Sequence, residues 1–433
     1  MMQYYNFEVM GNFFEKFMSR FLCSFMTLLR RICHTRGDRK KHAPKLVYFL
    51  MFLSTVTSSF ANPAETRVAT FNVSMEGENY GHKDSQAENI LATLLSEGTH
   101  PQIRNIAAII QRTRPDIILL NEFDYIADPR LGVELFINSF LKRSQHGEEA
   151  IDYPYYYLAP VNTGLPSPYD LDRDGVASGK GNDAWGFGHY PGQYGMVLLS
   201  RFPIDTSAVR TFQHFRWADL PGAEQPMLSD DEPFFAPEVW QSLRLSSKSH
   251  WDIPVIVDEQ IVHVLASHPT PPVFDGPERR NALRNRDEIR FWLQYIDGSN
   301  GSTLYDDAGV TGGLAQGTRF VIVGDLNASA SEGDSIAGGI DALLASPKIQ
   351  ESIVPSSIGA AEHRPEHPKA SEHTALWGLR ADYVLPSVAG FANSAAGVFW
   401  PSRAAPEAYL VQDRAASSDH RLVWVDLRIL PIP

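Results

Sequence analysis

Six short clusters of carboxylate, amide and imidazole side chains stand beside apolar runs along the chain. Asn72 lies in Thr70-Phe71-Asn72-Val73, Glu122 in Leu120-Asn121-Glu122-Phe123, and His268 in Ala266-Ser267-His268-Pro269. Asp325 and Asn327 lie in Gly324-Asp325-Leu326-Asn327, Asp382 in Arg380-Ala381-Asp382-Tyr383, and Asp419 and His420 in Ser418-Asp419-His420-Arg421. Carboxylate oxygens suit a hard cation such as Mg²⁺, Mn²⁺ or Ca²⁺. Histidines titrate near neutral pH and can move a proton. A divalent ion offsets negative charge developing on a phosphoryl oxygen while an activated water attacks in line. Each cluster alone also has a plain structural reading: Asn72 on a strand edge, Glu122 in solvent, Gly-Asp-Leu-Asn as an Asx turn, His268 ending a strand, Asp419-His420 opening one. Together, and in this order, they point to a site.

The apolar runs must bring the clusters together. Candidate buried strands are Val68–Val73, Ile117–Leu120, Met196–Leu199, Ile261–Leu265, Phe320–Val323, Tyr383–Leu385 and Leu422–Val425. Runs of this length suit strands buried on both faces. Some clusters follow a strand and others precede one, so antiparallel neighbours would put them on one rim. Helices are expected at 101–114, where Ile103, Ile106, Ala107 and Ile110 have helical spacing, and at 131–143 and 277–296. Strands and helices mixed without strict alternation favour an α/β sandwich with helices outside two sheets. Stretches near 145–190, 205–250 and 297–317 are rich in Gly, Pro, Ser and Asp and read as long insertions, functional or flexible. No linker separates two cores, so one domain is expected from 64 to 430.

The blocks VATFNV (Val68–Val73), IILLNEF (Ile117–Phe123), YGMVLLSRF (Tyr194–Phe202), VLASHP (Val264–Pro269), VIVGDLN (Val321–Asn327), ADYVL (Ala381–Leu385) and SDHRL (Ser418–Leu422) resemble, in that order, the endonuclease/exonuclease/phosphatase superfamily. The resemblance runs from near residue 67 to 428. It implies a DNase-I-like fold: a four-layer α/β sandwich of two mixed β-sheets flanked by helices. It implies a secreted, bacterial-type, metal-dependent phosphoric ester hydrolase using Mg²⁺, Mn²⁺ or Ca²⁺. Under it, Glu122 is the main metal ligand with Asn72 beside it, and Asp419 belongs to the metal site or its surroundings. Asp325 positions or deprotonates the attacking water, and Asn327 holds a phosphate oxygen. His420, oriented by Asp382, is a general base or polarises the phosphate. His268 matches the extra histidine of the DNase-like and sphingomyelinase-like branches, where it acts as a general acid or holds phosphate.

Weaker signals lie outside these blocks. Asp170, Asp172 and Asp174 open a D-x-D-x-D-G sequence, a candidate structural Ca²⁺ loop, although its twelfth position is Gly181 where such a loop needs a bidentate Glu. Gly186–Gly195 (GFGHYPGQYG) could form a rim loop with Gln193 or Tyr194 on phosphate. Arg279 and Arg280, at the start of the helix that follows His268, could bind further phosphates. The plain readings are an acidic surface turn, a turn with packed rings and a solvated helix face.

The first 61 residues differ in kind from the rest. Residues 1–45 hold nine Lys/Arg and three Asp/Glu, and a short apolar run, Leu46–Phe60, ends in Ser59-Phe60-Ala61. This is a signal-peptide pattern, with cleavage expected after Ala61 and a membrane anchor as the alternative. The apolar run is shorter than the ~20 residues a span needs. Both cysteines, Cys23 and Cys33, fall in this leader, so a mature chain has no cysteine zinc site, thiol nucleophile or disulfide. The expected location is secreted or periplasmic. Beyond residue 45 the chain carries 29 basic and 48 acidic residues, a net charge of −19. That counts against non-specific binding of duplex DNA. The expected substrate is therefore a phosphorylated small molecule or exposed phosphodiester. Nucleic acid, cut by an extracellular endonuclease, is the alternative, and a non-catalytic binding module on the same fold is a third. No feature calls for a protein partner, and a monomer is expected.

Overall fold

The computed structural model describes residues 65–432 apart from 82, 84–85, 230–231 and 299–302, which belong to one compact unit, Pro63–Pro433. The leader, with its cysteines and signal-peptide pattern, lies outside the described residues. The strands are β1 (Glu65–Met75), β2 (Ile117–Phe123), β3 (Tyr155–Tyr157), β4 (Met196–Ser200), β5 (Arg210–Thr211), β6 (Met227–Ser229), β7 (Glu232–Pro233), β8 (His250–Val257), β9 (Gln260–Ser267), β10 (Phe320–Asp325), β11 (Asp382–Pro386), β12 (Phe391–Val398) and β13 (Val423–Ile429). The first sheet has the order β12-β13-β1-β2-β4-β3, the second β11-β10-β9-β8-β5, and β6-β7 form a separate ribbon. Each sheet is mixed: β1 and β2 run parallel, as do β9 and β10, while the other pairings are antiparallel.

Alternation builds the layers. In β10, Val321 and Val323 join the core shared with the first sheet, while Phe320 and Ile322 join the core on the opposite face. A strand with apolar side chains on both faces needs cover on both. On the outside of the second sheet that cover is a helix, Arg280–Asp297, which contributes Ile289, Phe291, Trp292 and Tyr295. The first sheet is covered by α1 (Ile90–Glu97), α2 (Pro101–Thr113) and α3 (Val133–Phe136), and the Arg280–Asp297 helix is α4. Pro101 opens α2 where a missing N–H costs nothing, and Ile103, Ile106 and Ile110 are fully buried. The result is the expected four-layer α/β sandwich.

Three expectations change in detail. The helix expected at 131–143 is one α-turn, α3, running into a π-helical turn, Ile137–Leu141. The helix expected at 277–296 starts at Arg280. Strands β8 and β12 were not among the apolar runs, and β3, β5, β6 and β7 lie inside stretches read as insertions. No described helix is long and apolar enough to cross a membrane.

Candidate active site

Both parallel pairs end on one rim, and the antiparallel β11 and β13 begin there. β1 and β2 stay in register to Asn72↔Asn121 and then slip, with Met75 opposite Phe123. At the slip Ser74 (φ 46°) and Glu122 (φ 56°) take left-handed backbone. A bulge of this kind re-aims side chains at a sheet edge. Asn72 and Asn121 then reach across to the second sheet. Asn72 Nδ2 donates to Asp325 Oδ2 at 3.0 Å, and the Asp325 N–H donates to Asn121 Oδ1 at 3.2 Å. Gly324 allows β10 to approach β9 here: at φ 151° it packs so closely that a Cβ would lie 2.0 Å from Ser267 O.

Asp325 is the centre of the arrangement. Its Oδ2 lies 3.4 Å from His268 Nε2 and 3.5 Å from His420 Nε2, and its Oδ1 accepts from Asn327 N–H at 2.9 Å. His420 Nδ1 lies 2.9 Å from Asp382 Oδ2, and that oxygen also accepts from Thr374 Oγ1 at 2.6 Å. Trp377 stands edge-on to the His420 ring at 4.8 Å. Burial alone would raise the Asp325 carboxyl, but His420 and His268 outweigh it and hold it well below the usual range. Burial also works against a charged His420, but Asp382 and Asp325 outweigh it and push the imidazole up. Asp382 is raised by burial and by Asp325, against His420. His268 is pushed down by burial and by Lys248, against Asp325 and Glu122. Two buried imidazoles on one carboxylate are thus driven in opposite directions, the pattern that separates acid and base roles.

The remaining positions bear on a metal. Glu122 is half-buried in the cleft wall, and its carboxylate makes no hydrogen bond or ion pair with another described residue. Asp419 also lines the cleft, where its Oδ1 accepts from Ser74 Oγ at 3.1 Å and its Oδ2 lies 3.3 Å from Arg414 Nη1. Asn72 Oδ1 accepts from Ser74 N–H at 3.1 Å. Glu122 and Asp419 share no described group of three acidic or histidine ligand atoms within 4.8 Å; the one that forms here is Asp325, Asp382 and His420. An unpaired carboxylate with an amide and further carboxylates nearby fits a hard divalent ion that keeps several waters.

The cleft encloses about 1040 Å³. Glu122, His268, Asp325, Asn327, Asp419 and His420 line one part, and Trp217, Phe235, Leu243, Phe274 and Trp377 line much of the rest. Tyr194 and Arg280 line it as the sequence suggested. Gln193 and Arg279 do not. Gln193 is fully buried, donating to Glu76 Oε2 at 3.1 Å and accepting from His189 N–H at 2.8 Å, so its amide braces its own loop. Arg279 donates to Asp334 O at 2.8 Å and is spent on that loop. Asp170, Asp172 and Asp174 do converge, with ligand atoms within 4.8 Å. They accept backbone N–H groups of Asp174, Gly175 and Val176, and the nearby Asp183 turns inward to accept from Leu171 and Ser178.

Lys248 is the main residue the motif reading missed. It is buried in the cleft, and its ammonium makes no hydrogen bond or ion pair with a described residue. Burial lowers it, against Glu288, Glu122 and Asp325. In sequence it is one lysine in Ser246-Ser247-Lys248-Ser249, with nothing to separate it from a surface turn. Helix α4 places it. Buried Glu288 accepts from Ser247 N–H and from Thr270 N–H, each at 2.6 Å. One carboxylate therefore pins both the Lys248 loop and the His268 loop to the helix.

The chain is similar to several solved structures. One is an endonuclease/exonuclease/phosphatase from Beutenbergia cavernae DSM 12333, at 19% identity and TM-score 0.45, covering 85% of this chain and 72% of that one. Another is sphingomyelinase C from Streptomyces griseocarneus, at 16% and 0.40, covering 84% and 99%. A third is the human Nocturnin catalytic domain, at 12% and 0.39, covering 84% and 94%. No curated protein matches the chain. The model of the Endonuclease/Exonuclease/phosphatase family matches residues 69–420, a span that takes in every residue of the rim from Asn72 to His420, and the chain belongs to that family.

Proposed function

We propose that the protein is an exported, divalent-metal-dependent phosphoesterase that hydrolyses phosphate mono- or diesters by in-line attack of water. The observation that carries this reading is the Asp325 carboxylate held between His268 and His420, with the unpaired Glu122 in the same cleft. Glu122, with Asn72 and Asp419 near it, would hold the ion. When bound, the ion would supply positive charge against a phosphoryl oxygen. Asp325 is held as the anion, so it serves better to orient a water by accepting its hydrogen bond than to take its proton, which would pass to His268, the imidazole that burial keeps neutral beside it. His420, kept charged by Asp382, would donate to a phosphate oxygen. Asn327, with its N–H fixed on Asp325, would present its amide beside it. Lys248 offers an unpaired cation to an anionic substrate. The aromatic and aliphatic walls favour an ester whose organic part is small enough to enter and partly apolar.

The test is hydrolysis by the purified protein, with Mg²⁺, Mn²⁺ or Ca²⁺ and with chelator. The panel comprises phosphomonoesters, phosphodiesters, phospholipids, inositol phosphates and plasmid DNA. Metal-dependent turnover of small esters without nicking supports the proposal. Nicking alone would favour the nuclease. No turnover on any substrate would sink the enzyme reading. Export is tested separately, by the N-terminal sequence of protein recovered outside the cytoplasm, which the proposal places at Asn62.

A further inference from the structure

We infer a second metal site, of the zinc class, formed by Glu332, His367 and His373. Glu332 Oε1 lies 3.0 Å from His367 Nε2 and 3.1 Å from His373 Nε2, and all three ligand atoms fall within 4.8 Å of one another. The two rings face each other at 4.9 Å, tilted by 43°. Two imidazole nitrogens converging on one carboxylate oxygen make the His₂Glu donor set that zinc accepts, with its fourth position left to water. Zinc–ligand bonds of ~2.0–2.1 Å set tetrahedral edges of ~3.3 Å, and the two edges from Glu332 Oε1, at 3.0 and 3.1 Å, are already close to that.

His373 is 1% exposed, and its Nδ1 has no hydrogen-bond partner. With Nε2 on the metal this imidazole keeps its proton on Nδ1, the nitrogen that does not face Glu332. It lines a cavity of about 230 Å³ together with Glu332 and Glu372, which leaves room for water on the open side. Two cations share that lining: Arg380 pairs with Glu351 through Nη1, and Lys369 Nζ donates to Ser331 Oγ at 3.3 Å. One contact must open. Lys369 N–H donates to His367 Nδ1 at 3.2 Å, and a metal on Nε2 leaves Nδ1 protonated, so that ring must turn.

The place of the site in the fold suggests its use. Glu332 lies in the loop after β10, whose next residues, Gly333, Asp334 and Ser335, line the catalytic cleft. His373 directly precedes Thr374, which holds Asp382, and Ala375, which bridges to His420. A metal ion would tie these two segments together next to the Asp382–His420 pair. Its role is positioning.

The experiment uses the full chain carrying Glu122→Gln, which weakens the catalytic ion's site, so that zinc at the second site is read alone and the result does not depend on turnover. Zinc is titrated against a chromophoric chelator, and the zinc retained after gel filtration is measured by elemental analysis. We expect one tightly held zinc per chain. Adding His367→Ala, a half-exposed residue whose loss leaves the core intact, should weaken it by about 100-fold or more and abolish the rise in melting temperature that zinc produces. Glu332→Gln in the same background should do likewise. If Glu122→Gln binds no zinc, the three residues are only a hydrogen-bonded cluster. If the zinc survives both added substitutions, it sits elsewhere. Either result overturns the inference.

Discussion

Asp325 and Asp382 face each other across β10 and β11 in directly opposed register. Two carboxylates so placed repel one another unless a cation joins them. His420 does, with one ring nitrogen toward each. Asp382→Asn removes the partner that keeps this imidazole charged and oriented. We expect kcat on a hydrolysed ester to fall by about 100-fold or more while KM changes little, and His420→Ala to fall at least as far. Unchanged kinetics in both would move the reaction away from this cluster. Lys248 gives a prediction with two signs. A buried ammonium without a partner destabilises the fold but favours an anionic ligand. Lys248→Met should raise the melting temperature and raise KM about tenfold, with Lys248→Arg restoring part of the affinity. A fall in both stability and affinity would mean that Lys248 is structural. The two arginines proposed for phosphate part company for a local reason: Arg279 caps α4 in left-handed backbone (φ 51°), and its side chain goes to Asp334, while Arg280, one residue on, lines the cleft.

The strand ends were legible because chemistry and hydrophobicity meet there: a buried apolar run must stop where a carboxylate or imidazole begins. What stayed hidden were elements without that contrast. β12 reads FANSAAGV, and much of it is half-exposed, so no apolar run marks it. β8 contains Pro254, whose missing N–H is tolerated because β5 pairs only with Asp252 and Trp251. Gln193 was unreadable for another reason, since a loop of glycines and aromatic rings does not say which side chain turns inward. Gly324 shows how far an element can be read from one residue. It is the glycine of the Gly-Asp-Leu-Asn block, and its lack of a Cβ lets β10 close on Ser267 while Asp325 turns to the rim. Gly324→Ala must push the strands apart or tilt Asp325. We expect a loss of about 2 kcal/mol or more in stability and about 100-fold in kcat. Thermal melts and steady-state kinetics check the two together, and wild-type activity with a lowered melting temperature would show that Asp325 does not depend on this close approach.

At the scale of the molecule, the cleft floor depends on α4, and the helix is fastened to the second sheet through His250. That residue is fully buried in β8 and packs against Phe291 and Trp292 with ring centroids 4.8 and 4.9 Å away. Its Nε2–H donates to Glu288 O at 2.8 Å, and its Nδ1 accepts from Ser246 Oγ. The Ser246 bond requires the neutral ring, because a protonated Nδ1 cannot accept, whereas the Glu288 bond is open to either form. Burial lowers the imidazole to about 4, only partly opposed by the Glu288 carbonyl. The sign follows from proton counting. Between about pH 4 and the ordinary histidine value near 6.5, the unfolded chain binds more protons than the folded one. The stabilisation is therefore complete above that window and is lost as pH falls through it, by about 2 kcal/mol at pH 5 and about 3 kcal/mol at pH 4. Because Glu288 also pins the loops of Lys248 and His268, the cleft floor should loosen together with the helix. His250→Gln keeps a donor and an acceptor but cannot titrate. It should cost stability at pH 7, and that deficit should shrink steadily as pH is lowered from 6.5 to 4. Chemical denaturation of both proteins across this range measures the difference, and parallel profiles would show that His250 is not the group through which acid loosens the fold.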